Sequence, residues 1–179
     1  MIKLSILIAN IPSRELKLQY LVAHLKEQGG DVEILTDSNM GYNIGTKRNL
    51  LLERATGEYI VFVDDDDEVA PDYVQKILAA MDGLPDCIGI SGHITTNGEN
   101  PRQWHISKDY GCWYELDNVY YRTPNHISPV RRELALQTRF KEIAHGEDAD
   151  YSARLLRLLH TENKVQGNIY HYIYSHYKE

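Results

Sequence analysis

The chain has 179 residues, 42% of them hydrophobic and 25% charged, with a formal net charge of −7 and a pI of about 5.6. That is enough for one compact domain with its own core and hardly enough for two. The acidic balance disfavours indiscriminate nucleic-acid binding, and no apolar run is long enough to span a bilayer.

The N-terminal stretch Met1–Asn10 is too short for a signal peptide and has no cleavage pattern after it. It reads as a first core strand over Lys3 to Ala9. Ser13 to Gln28 reads as an amphipathic helix with Leu16, Tyr20, Leu21 and Leu25 inward, stopped by Gly29-Gly30. A second strand follows over Val32 to Leu35, ending at Thr36-Asp37, and then a helix over Ile44 to Ala55. Tyr59 to Val63 is apolar and β-branched, the signature of a buried third strand. Pro71 to Met81 is a third helix, with Val74, Ile77, Leu78 and Met81 inward. Cys87 to Ile94 is a fourth strand. This alternation predicts an α/β fold with a mostly parallel central sheet and helices on both faces.

Beyond residue 94 the pattern changes. Thr95 to Tyr110 is polar and reads as a long loop, and Tyr110 to Arg122 alternates as short antiparallel strands. Ser128-Pro129 predicts a helix start running to about Leu136. Gly146-Glu147-Asp148 opens another helix, carrying Tyr151, Leu155, Leu158 and Leu159, and Asn168 to Tyr174 is a last strand. No linker or repeat divides the chain, so it is expected to be a single domain with residues 1–94 and 95–179 as two functional halves. Cys87 and Cys112 lack metal-ligand spacing and read as reduced thiols, which points to the cytoplasm.

The third strand runs straight into Asp64-Asp65-Asp66-Asp67. Most acidic runs are merely solvated, but this one sits at the C-terminal end of a core strand, where open α/β sheets bind ligands. Adjacent carboxylates repel one another and call for a compensating charge. Magnesium or manganese suits such hard oxygen ligands, and the metal suits a phosphate-bearing substrate. The first strand ends in Ala9-Asn10-Ile11-Pro12-Ser13-Arg14 on the same rim, where Asp37 can accept from a ribose or a base edge. Lys47 and Arg48 open the second helix, where cations and the helix field could meet a nucleotide diphosphate. Alternatively, Ser13 and Asp37 only cap turns, and Lys47 and Arg48 only face water. The dinucleotide and P-loop glycine signatures are both absent. Trp104 and Trp113 are candidates to stack on a sugar or simply to pack in a core.

Four segments in order carry a family resemblance: Ile44-Gly45-Thr46-Lys47-Arg48-Asn49, Ala55-Thr56-Gly57-Glu58-Tyr59-Ile60, Phe62-Val63 with the aspartates, and Pro71-Asp72-Tyr73. Together they resemble the nucleotide half of family 2 glycosyltransferases of the GT-A fold. Pro124-Asn125-His126-Ile127-Ser128-Pro129-Val130-Arg131-Arg132-Glu133, Phe140 and Gly146-Glu147-Asp148 resemble the acceptor half. The chain is short for that family and lacks its Gln-x-x-Arg-Trp motif, which argues against processive polysaccharide synthesis.

The resemblance implies a metal-dependent inverting transfer of a sugar from a UDP-linked donor to a hydroxyl. It implies that Asp66 binds the metal, that Asp64 contacts metal or ribose with Asp65 beside it, and that Asp37 holds the uracil or ribose end. Asp148, or alternatively Glu147, would be the base. A late histidine, His171 or His176, would complete the metal site, and His126 and Trp113 would line the acceptor pocket. The acceptor is expected to be a glycan or, for a phage-like enzyme, a hydroxylated DNA base. The rival readings are a non-catalytic sugar-binding module and a nucleotidyltransferase; the latter lacks its glycine-rich signature here.

Overall fold

The computed structural model describes residues 1–175. Its centre is three parallel strands in the order β2 (Val32–Asp37), β1 (Leu4–Ala9) and β3 (Tyr59–Phe62). The two-residue strand β9 (Val130–Arg131) connects this centre to the rest, and β4 (Glu68–Val69) follows β3 in the chain. Strand β9 lies antiparallel to both β3 and β5 (Cys87–Thr96). The sheet continues through β6 (Glu99–Ile106), β8 (Val119–Arg122) and β7 (Tyr114–Leu116), and β10 (Glu162–Tyr174) runs parallel to β5 and antiparallel to β4. This is the mixed α/β architecture with a largely parallel core and an antiparallel outer region that the sequence predicts.

Strand periodicity sends alternate side chains to opposite faces, and here it builds two cores. Ile6, Ile8 and Val61 face α1 (Glu15–Gln28) and α3 (Tyr73–Ala80), packing with Leu18, Leu21, Leu25, Val74 and Ile77. Leu7, Ile60 and Phe62 face the other way, toward α2 (Ile44–Arg54), α4 (Arg132–Thr138) and α5 (Glu147–Leu155), with Leu51, Leu52, Phe140 and Tyr151. Asn43 caps α2, its side chain accepting from the Thr46 amide at 2.9 Å; such caps contribute about 1 kcal/mol. Gly45 in the first turn of α2 admits no side chain, since a Cβ there would lie 1.9 Å from the Lys141 carbonyl.

The structure corrects several boundaries. Leu16 and Tyr20 are not core residues but 71% and 78% exposed. Leu21 and Leu25 meet the sheet as expected, and Leu18 joins them in place of Leu16 and Tyr20, after a 3-10 turn over Pro12–Arg14. The expected loop from Thr95 is strand β6, joined to β5 by a turn with Asn97 and Gly98 at φ 52° and 80°. Ser128-Pro129 does not start a helix; the chain first pairs as β9, and α4 begins at Arg132. The last strand begins at Glu162 and passes an irregularity at Gly167 (φ 79°) before reaching Tyr174. Among the described residues no helix is long and apolar enough to cross a membrane.

Candidate active site

The C-terminal ends of β1, β2 and β3 meet at one rim. Ala9 lies opposite Asp37 in the register, and the Asn10 amide donates to the Asp37 carbonyl at 2.9 Å. The Asp37 carboxylate accepts from the Asn39 amide at 2.8 Å, capping the turn after β2. Ser13 is exposed in the 3-10 turn, beside the Ile11 amide and the Arg14 guanidinium that reach the acidic turn. The rim therefore brings together Ala9, Ile11, Arg14, Asp37 and the aspartates that follow β3.

Each aspartate has a different environment. Asp65 is buried and accepts from the Ile11 amide at 3.1 Å and from Arg14 at 2.8 Å. It is a clamp between the acidic turn and the segment that follows the first strand. Asp67 is also buried; it accepts from the Tyr170 hydroxyl at 2.7 Å and from the Ile173 amide at 2.7 Å. Burial and the neighbouring Asp64 charge push its carboxyl well above the usual range. Asp64 receives His126 Nε2 at 3.3 Å and Arg48 Nη2 at 3.4 Å, and its amide donates to Tyr170 at 3.2 Å. Burial raises the Asp64 carboxyl, but His126 and Arg48 together outweigh it and hold the group well below the carboxylate range.

Asp66 is part-exposed and pairs with Arg14 at 2.9 Å. Burial raises its carboxyl, and the charges of Asp64 and Asp65 add to that despite Arg14. One guanidinium thus serves two carboxylates, which leaves Asp66 under-compensated and, unlike buried Asp67, part-exposed at the rim.

Lys47 and Arg48 differ from expectation. Lys47 is buried and its ammonium donates to the Asn10 carbonyl at 2.8 Å, fixing the end of β1. Arg48 is buried against the rings of Phe62 and Phe140 and pairs with Glu147 at 2.5 Å. Neither faces the rim as a free cation, because a charge this deep needs an internal partner. Glu147 is accordingly held by Arg48 on the inner side of α5. Asp148, one residue on, lines a cavity of about 440 Å³ together with Trp104, Trp113, Tyr120, Arg122 and His126. The two members of the acidic pair are separated by the 100° step of the helix.

Among the described residues no three His, Cys, Asp or Glu side chains group to hold a metal ion. Asp64, Asp66 and His171 therefore do not form the expected ligand set. His171 sits between Glu68 at 3.1 Å and Thr95 at 2.8 Å and stacks on His93 with ring centroids 4.1 Å apart. His176 lies outside the described residues.

Several participants escaped sequence reasoning. Tyr170 bridges Asp64 and Asp67, and Arg122 and Tyr120 join the cavity wall. Asn10 is buried with its side-chain amide unpartnered, beside the rim. The alternating tyrosines of the last strand carried a signal for Tyr170; Asn10 and Arg122 depend on tertiary packing and carried none.

The sequence profile of glycosyl transferase family 2 matches residues 5–146, stopping one residue short of Glu147. No curated protein matches. Among solved structures, TarS 1-349 of S. aureus in complex with UDP-GlcNAc is similar at 17% identity and a TM-score of 0.72, covering 99% of this chain and 59% of that one. The same TarS fragment with UDP is similar at 18% identity and a TM-score of 0.72, covering 96% and 60%. TarS itself is similar at 16% identity and a TM-score of 0.72, with 96% of this chain and 36% of TarS covered. The chain thus spans well under two thirds of these relatives, and at such identities the likeness is one of fold.

Proposed function

The chain belongs to glycosyl transferase family 2, and from that premise we propose that it moves a sugar from a nucleotide sugar to a hydroxyl with inversion at the anomeric carbon. The observation that carries this reading is the contact of His126 with Asp64 at 3.3 Å, which joins the acidic rim to the aromatic cavity containing Asp148. Two substrates bound on either side of that contact would meet there. The rim takes the donor, with Ala9, Ile11, Ser13 and Asp37 at its nucleoside end and Arg14, Asp64 and Asp66 toward the diphosphate. A UDP-linked donor is favoured because the similar TarS structures are complexes with UDP and UDP-GlcNAc.

Asp148 is the base of the proposed reaction. It removes the acceptor proton as the hydroxyl oxygen forms its bond to the anomeric carbon and the bond to the diphosphate oxygen breaks. It lines the cavity from the first turn of α5, on the side where the acceptor hydroxyl would lie. Glu147, ion-paired with Arg48, supports that turn from beneath rather than sharing the role.

The acidic rim also fits a divalent cation. Asp66 is crowded by two carboxylates with one guanidinium between them, and Asp64 lies beside it, so these two residues would hold manganese or magnesium. The ion, when bound, would supply charge neutralisation at the diphosphate. Trp113 and His126 would contact the acceptor. The test is a thermal-shift series with UDP-glucose, UDP-GlcNAc and UDP, each with and without manganese. A ligand at a hundred times its dissociation constant stabilises by about 2.7 kcal/mol. No shift with any of the three would refute the donor assignment.

A further inference from the structure

The cavity that contains Asp148 has a floor built by strand alternation. Trp104 and Ile106 from β6 stand beside Tyr120 and Arg122 from β8, in a parallel register that sets Trp104 against Tyr120 and Ile106 against Arg122. Both tryptophans of the chain, Trp104 and Trp113, line it.

Arg122 is out of balance within this wall. Its guanidinium lies over Tyr120 at 4.8 Å and over Trp113 at 5.1 Å from the ring centroids. It donates to the backbone carbonyls of Tyr114 and Tyr121, each at 3.1 Å. Among the described residues it has no carboxylate at ion-pair distance. The nearby Glu115 is taken by Arg102 at 2.5 Å, and Arg102 stacks on Tyr120 at 3.9 Å. Two guanidinium groups therefore share one tyrosine ring, and the one nearby carboxylate pairs with Arg102, in a chain whose net charge is −7. Burial and the Arg102 charge both work against the charged form of Arg122. The remaining charged or titratable lining groups are Asp148, His126, Tyr120, Tyr172 and Tyr174, and of these His126 contacts Asp64 on the rim.

We propose that this cavity binds an acceptor carrying an anion, a phosphate ester or a carboxylate, beside its hydroxyl-bearing ring or polyol, and that Arg122 receives the anion. The proposal rests on the reading of this cavity as the acceptor side. Trp113 and Tyr120 provide the flat surfaces on which C–H faces of such a compound stack. An incoming oxyanion would replace the counter-charge that the wall lacks, at a planar fork suited to phosphate and carboxylate alike.

The test uses tryptophan fluorescence, since both tryptophans line the cavity and Trp104 also packs edge-on against Tyr170 beside the rim. The full chain is titrated with glycerol 2-phosphate against glycerol, and with glucuronate against glucose, at constant ionic strength. The charged member of at least one pair should bind about tenfold or more tightly, the worth of one charge-assisted hydrogen bond. The arm that responds identifies the anion as phosphate or carboxylate. Arg122→Gln should abolish the preference, whereas Arg122→Lys, which keeps the charge, should retain part of it. A UDP titration of each variant verifies that the rim is intact, and saturating UDP should leave the anion constants unchanged. Equal binding of charged and neutral partners, no saturable response, a preference that survives in Arg122→Gln, or displacement of the anion by UDP would each overturn the proposal. Absence of UDP-sugar binding would instead refute the donor reading and leave this result standing.

Discussion

Arg48 and Glu147, 99 positions apart in the chain, form a buried ion pair at 2.5 Å, and the other arm of the same guanidinium reaches Asp64 at 3.4 Å. One side chain thus ties the helix that carries Asp148 to the strand end that carries the acidic turn. Breaking a buried pair leaves the survivor uncompensated, at a cost of about 3–5 kcal/mol, whereas replacing both partners by apolar groups is often near neutral. Arg48→Met should therefore destabilise the protein by about that amount in urea unfolding. Adding Glu147→Leu should recover much of the loss, and failure to recover it would mean that the Asp64 contact dominates.

Asp148→Asn preserves size and hydrogen-bonding reach while removing the basic carboxylate. Donor binding should survive, and transfer should fall by about 10²–10⁴-fold, the usual worth of a positioned general base. Initial rates with UDP-glucose and an acidic polyol acceptor would measure this. Near-normal transfer would remove Asp148 from the mechanism.

Asp66→Asn removes the under-compensated carboxylate and leaves the Asp65 clamp in place. Calorimetry should show UDP binding that no longer responds to manganese. The melting temperature without ligand should change little or rise, since a repulsive charge is lost. Unchanged manganese dependence would exclude Asp66 as a ligand.

Glu33 reports on pH. Its Oε1 accepts from Ser5 Oγ at 2.6 Å, from the Thr56 amide at 2.6 Å and from Thr56 Oγ1 at 3.0 Å. Burial raises its carboxyl, but these bonds outweigh it and hold the group below the usual value. A carboxyl lowered in the folded state stabilises above the unfolded value of about 4.3 and loses that contribution as pH falls through it toward the folded value. Glu33→Gln should cost about 1 kcal/mol at pH 7 and progressively less below pH 4. Urea midpoints across that range would show it, and a pH-independent loss would mean that charge plays no part.

The nucleotide half was legible because its elements are regular. Tyr59–Phe62 and its acidic continuation declare a buried strand and a rim, and helix periods around it gave α2 and α3 nearly at their observed bounds. Strand β6 was missed although Asn97-Gly98, with φ values suited to a two-residue hairpin, was visible; polar composition and Pro101 outweighed it. The error at Leu16 and Tyr20 has another origin: Leu18, Leu21, Val22 and Leu25 share one face at helical spacing, and Leu16 and Tyr20 lie off it. The inward turn of Lys47 and Arg48 was not readable at all. Charge at a helix start looks the same in sequence whether it meets water or a buried carbonyl.

Tyr170 gives the acidic turn a timetable. Its hydroxyl holds Asp67 across 103 positions of sequence and also receives the Asp64 amide. Closing so long a loop costs entropy that only later contacts repay. During synthesis the first three strands can pair while the aspartates after β3 still lack their anchor, because the residue that orders Asp67 follows 103 positions later. The acidic rim should consequently mature only once β10 has docked, well after the strands that frame it have paired.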